Sequence, residues 1–154
     1  MILDTVMWLV SSVVFFAWIF GVTLKNTFAT NAKHFGILIA VHLVLSFAAI
    51  ALKKQGVVVV HKDTSLWVIK SVGMALKGYM AVLMIMMTSF FIALVSKGAQ
   101  KMTHFHETYN AANLHRNPLK FYLRRESAII WGYRLFFMIG GVYVLWAIWF
   151  KMPF

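Results

Sequence analysis

The chain has no cysteine, which removes disulfides, thiolate nucleophiles, iron–sulfur clusters and thiolate-bound zinc together. Acids are almost as scarce, with four Asp and Glu in 154 residues. None falls inside an apolar run, so a proton relay of intramembrane carboxylates has no residues to use. No G-x-S-x-G, Walker loop or H-E-x-x-H occurs, and no loop holds a pair of acids close in sequence. These absences weigh against hydrolases, nucleotide-driven machines and proton-coupled transporters.

Apolar surface is what the sequence has in excess. Hydrophobic residues make up 62% and charged residues 12%, against about 25% charged in an average soluble domain. They form runs of membrane-crossing length, not one apolar stripe per helix. Spans are expected over about 5–24, 35–52, 78–96 and 128–150, each able to cover a hydrocarbon core of about 30 Å. The sequence therefore predicts an all-α integral membrane protein, a single membrane domain over 1–154 built as a four-transmembrane-helix bundle. The first run follows Asp4 with no preceding Lys or Arg, and reads as a retained span and not a cleaved signal.

Between the second and third spans, VVVV at 57–60 reads as a short extended segment. Thr64 or Ser65 can cap the next helix. Lys70 and Lys77 then lie on one helical face, so 65–77 reads as an interfacial extension with snorkelling lysines.

Lys and Arg number 15, for a formal net charge of +11. They cluster where apolar runs end, so the expected partners are anionic lipids and other membrane-protein subunits, and no nucleic acid. Residues 97–126 hold six of them against two Glu, and read as a basic cytoplasmic loop and the working surface. Asn117-Pro118 marks a turn or helix start, after which Lys120, Arg124 and Arg125 flank Phe121, Tyr122 and Leu123 as a basic amphipathic stretch for lipid or a partner. The first and third loops together carry eight basic residues. The positive-inside rule then puts both loops in the cytoplasm and both termini outside, in a bacterial inner membrane.

A few residues carry chemistry in principle. His42 is central in its span, as an axial haem ligand would be, although interhelical hydrogen bonding accounts for it better. His104, His106, Glu107 and His115 are ligand types for zinc, iron or copper, yet 104 and 106 would point to different faces of a helix. Arg134 lies in the first turns of the fourth span, where it must snorkel or find a partner. Met80, Met84 and Met87 share one helical face and suit an adaptable seam. Gly73, Gly78, Gly140 and Gly141 permit close helix approach.

The leading expectation is a small non-catalytic polytopic subunit of a secretion, conjugation, respiratory or transport complex, with no cofactor. A haem- or metal-binding redox protein is the alternative, and a small channel or holin-like pore the third.

Overall fold

Hydroxyl caps set where two of the helices begin. Thr27 Oγ1 accepts from the Thr30 backbone N–H at 3.3 Å, and Ser65 Oγ from that of Val68 at 3.4 Å. Each satisfies a donor that a helix's first turn leaves over. The helix between them closes at Lys53-Lys54, cations beside the negative end of its dipole. It then leaves through Gly56 at φ 71°, a left-handed position that favours glycine.

The computed structural model describes residues 2–56 and 65–153. Its elements are α1 (Ile2–Trp18, prolonged by a π-helical turn Ile19–Thr23), α2 (Phe28–Lys54), α3 (Leu66–Tyr109) and α4 (Leu119–Phe150), with a short 3-10 turn Ala111–Asn113 before α4. Among the described residues there is no strand, and the expected extended segment 57–60 lies outside them. Four helices are long and apolar enough to cross a membrane.

Residue pairings give an up-down-up-down order. Asp4 meets Lys77 at 3.6 Å and Thr23 meets Ser89 at 2.6 Å, so α1 and α3 run parallel. Lys77 also reaches Trp149 while Ser96 meets Arg134, so α4 runs antiparallel to α3. Phe35 stacks on Phe90 and His42 on Tyr79, which sets α2 antiparallel on another side of α3.

The packed core joins α1, α3 and α4 through Phe15, Ile19, Ile85, Ile92, Met138 and Leu145. Gly141 lets α4 come close to α1: a Cβ there would stand 2.7 Å from Phe15 Cζ. Among the described residues α2 buries only Asn31. None of its most apolar window is buried, against 33% for α3. α2 thus lies against a three-helix core, with its apolar side chains turned outward.

Three expectations need correction. Lys77, on the early turns of α3, is buried among helices where snorkelling was expected. The loop 97–126 is mostly helix, because α3 runs on to Tyr109 and α4 starts at Leu119. The loop 25–34 shrinks likewise, since α2 begins at Phe28. One cause covers the two loops: polar residues mark where an apolar band stops, and lysine, glutamine and methionine are good helix formers that give the backbone no reason to stop there. At 44 residues α3 is about 66 Å long, roughly twice an apolar band of about 30 Å.

Candidate functional site

Polar side chains gather inside the bundle at two levels. Near the start of α1, Lys77 Nζ donates to the Trp149 carbonyl at 3.0 Å and faces Asp4 Oδ1 at 3.6 Å. The carbonyl belongs to the last turn of α4, where acceptors have no helical partner, so Lys77 caps one helix from the middle of another. Trp149 in turn donates its indole N–H to Ser11 Oγ at 3.1 Å, which ties α4 to α1. Asp4 lies in the first turn of α1, just ahead of the expected span 5–24.

At the other end of α1, the π turn brings Thr23 onto Ser89. Asn31 Nδ2 donates to the Thr23 carbonyl at 3.1 Å and to that of Thr27 at 3.2 Å, clamping the α1–α2 turn. Two turns further along α3, Ser96 donates to the Ile92 carbonyl at 2.9 Å and accepts from Arg134 Nη2 at 3.0 Å and Nε at 3.3 Å. The Arg134 guanidinium also lies over the Trp131 ring, 4.9 Å from its centroid. Beside it opens a cavity of about 350 Å³ between the α1–α2 turn and α3, lined by Lys25, Lys97, Arg134, Asn26, Ser96 and Gln100 among others.

The middle of the bundle holds the histidine expected there. His42 is half-buried on α2, its Nδ1 2.7 Å from the Tyr79 hydroxyl, so it does serve as an interhelical hydrogen-bonding group. A groove of about 370 Å³ brings it together with Met80, Met84 and Met87. His34 instead packs edge-on against Trp18.

Beyond the polar level, the ends of α3 and α4 run side by side as a helical hairpin closed by 110–118. His104, His106 and Glu107 sit on the last turns of α3, where His106 Nδ1 contacts Asn110 Nδ2 at 3.3 Å. His115 lies in the connection, exposed. Among the described residues no group of three His, Asp or Glu side chains comes within reach of one ion. Lys120, Arg124 and Arg125 are exposed on the first turns of α4, and Arg125 covers the Phe121 ring at 5.0 Å.

The pairing of Asp4 with Lys77 and the gathering of Lys25, Lys97 and Arg134 were not foreseen. A signal for the first existed, since a lysine among apolar residues calls for a counter-charge and Asp4 is one of few acids. The second joins the α1–α2 turn to the interiors of α3 and α4 and leaves no pattern along the chain. Comparison with protein-family profiles, with curated proteins and with solved structures yields no match to this chain.

Proposed function

We propose that the chain is an integral membrane protein of four spans, without catalytic activity of its own, that assembles with other membrane subunits and anionic lipid. The observation that carries the membrane part is the inverted polarity of the bundle. Thr23, Asn31, Lys77, Thr88 and Ser89 are buried, while Phe47, Val44, Phe136 and Ile139 are among the exposed side chains, at 67–71%. In water this arrangement exposes far more apolar surface than a monomer tolerates, whereas in lipid it is the stable one. The α1–α2 turn and the α3–α4 hairpin lie at one end of the bundle and hold the basic excess, which supports a cytoplasmic location for that end and outer termini in a bacterial inner membrane.

The subunit role rests on the hairpin, a rigid basic projection with exposed Lys120, Arg124 and Arg125 in place of a pliable loop. Since the chain has no cysteine, a single introduced thiol reports sidedness cleanly: Lys101→Cys should react only from the cytoplasmic side of a carbonate-resistant protein. Reaction from outside inverts the topology. Reversing Arg124 and Arg125 to Glu should preserve insertion and helix content while abolishing co-purification with partners. Unchanged co-purification would move the interface to the methionine-bearing face of α3.

A second reading is favoured by one observation, the meeting of His42 with Met80, Met84 and Met87 around one groove. Imidazole and thioether are the ligand types of a haem iron or of copper(I), and Tyr79 on Nδ1 leaves Nε2 to bind. A Soret band or stoichiometric copper lost in His42→Ala would replace the cofactor-free reading. A purified protein free of haem and metal would retire the second one.

A further inference from the structure

We propose that the cavity between the α1–α2 turn and the α3–α4 pair is a binding site for a phosphate group, with Lys25, Lys97 and Arg134 as its cationic contacts. Its chemistry sets it apart from the other cavities in the bundle. Those are lined almost wholly by apolar side chains, such as the one among Val14, Trp18, Ile37 and Val82. This one combines three cations with the donor-bearing side chains of Asn26, Ser96 and Gln100, and no acidic side chain among the described residues lines it. Its size falls in the range of about 300–1,000 Å³ usual for ligand cavities.

Arg134 is the strongest pointer. It projects from an apolar helix, is only partly exposed, and meets a serine hydroxyl and an indole face where a carboxylate would neutralise it. Ser96 is itself fixed by its bond to the Ile92 carbonyl, so the guanidinium is held in one orientation before any ligand arrives. A guanidinium so held, with two lysines at the same rim, matches the charge and the fork geometry that phosphate oxygens require. The start of α2 adds to this. Thr27 and Phe28 line the cavity, and the positive end of a 27-residue helix dipole favours the same ligand charge.

The site lies where the apolar band of the bundle ends. On the membrane reading that is headgroup depth, so the phosphate of an anionic lipid is the source at hand, with free phosphate the other. The membrane reading decides only that source. The site itself depends on the cavity and its charges.

The experiment measures binding to the purified full-length chain in a neutral detergent, by titration calorimetry and native mass spectrometry. The probes are short-chain phosphatidic acid, the diacylglycerol with the same acyl chains, and inorganic phosphate. Phosphatidic acid should bind at one site and diacylglycerol should not. Lys97→Gln with Arg134→Gln should weaken binding about ten-fold or more, because two charge-assisted contacts are lost. Lys53→Gln with Lys54→Gln removes the same charge at the far end of α2, away from the cavity, and should change binding by less than about two-fold. If the Arg134 variant does not fold, Lys25→Gln with Lys97→Gln alters only exposed side chains and carries the same expectation.

Inorganic phosphate that competes and binds as tightly as the lipid would assign the site to the free anion. Failure to compete, with the lipid bound, would assign it to the headgroup. Absence of binding by both phosphate probes, or equal loss in the cavity variant and the Lys53/Lys54 variant, overturns the proposal. Carbonate extraction is scored on the same samples. Phosphate binding by a protein that does not insert faults the membrane reading alone, and an inserted protein that binds no phosphate faults the site alone.

Discussion

Lys77 and Arg134 are both cations set in apolar helices, and the bundle treats them in opposite ways. Lys77 is answered from within the chain, by the Asp4 carboxylate and by an orphan carbonyl at the end of α4. Arg134 is answered by a hydroxyl and a ring face, beside a cavity that holds two more cations. The first arrangement closes a helix junction at Ser11 and Trp149, where α1, α3 and α4 meet. The second leaves positive charge unneutralised at the open end. The difference teaches that charge inside this bundle marks structure at one end and an affinity for anions at the other.

The largest expected effect tests whether the core between the two ends is as tightly packed as its geometry requires. Gly141→Val would drive a side chain into the fully buried Phe15 ring. It should destabilise the bundle by about 3 kcal/mol, the upper part of the range for overpacking. Gly140→Val has nothing within 4 Å of the added Cβ, so it should stay within about 0.5 kcal/mol. Thermal unfolding in detergent, followed by circular dichroism, compares the two, and equal midpoints would mean that α1 does not seat on Gly141.

Next comes Lys77→Met, which keeps the volume and removes the charge. The loss should be about 2 kcal/mol, because an ion pair disappears and the Trp149 carbonyl loses its donor. Water reaches Asp4 and holds the value below that of a fully buried pair. A variant as stable as the parent would show that Lys77 is tolerated and contributes nothing to closure. Trp149→Phe should cost about 2 kcal/mol, the hydrogen bond it gives Ser11 together with the cavity left by a fully buried indole. Ser11→Ala should cost about 1 kcal/mol and the double variant little more than Trp149→Phe alone, which a double-mutant cycle measures.

The smallest effect is expected at the open end. Arg134→Gln should move stability by no more than about 0.5 kcal/mol in the absence of anions, since the lost contacts with Ser96 and Trp131 are offset by relief of a partly desolvated charge. With phosphatidic acid added, the parent should gain thermal stability and the variant should not. If Arg134→Gln instead unfolds the protein as Lys77→Met does, the contrast between the two ends collapses and Arg134 is a structural residue.

Much of the candidate site was within reach of sequence reasoning one residue at a time, and little of it as an assembly. Arg134 stood out because a charge among apolar residues needs a partner, and His42 because imidazole does. Their partners, Ser96 and Tyr79, are ordinary residues on α3 that nothing in their own surroundings marks. The histidines at 104, 106 and 115 show the reverse. Their residue types suggested a metal site, and the backbone then spread them over a helix and a turn.

By itself the sequence determined that the chain forms four long apolar helices, that Thr64 or Ser65 starts the third, and that positive charge collects where the apolar runs end. These are local properties, set by hydropathy, capping and composition over a few turns. Only the tertiary structure decided that Lys77 is buried against Asp4 and Trp149, that residues 97–109 continue a helix, that α2 stays outside the core, and that Lys25, Lys97 and Arg134 border one cavity. Each of these depends on which helix faces which, and that is settled by the fit of Phe15 onto Gly141 and of Thr23 onto Ser89 across residues far apart in the chain.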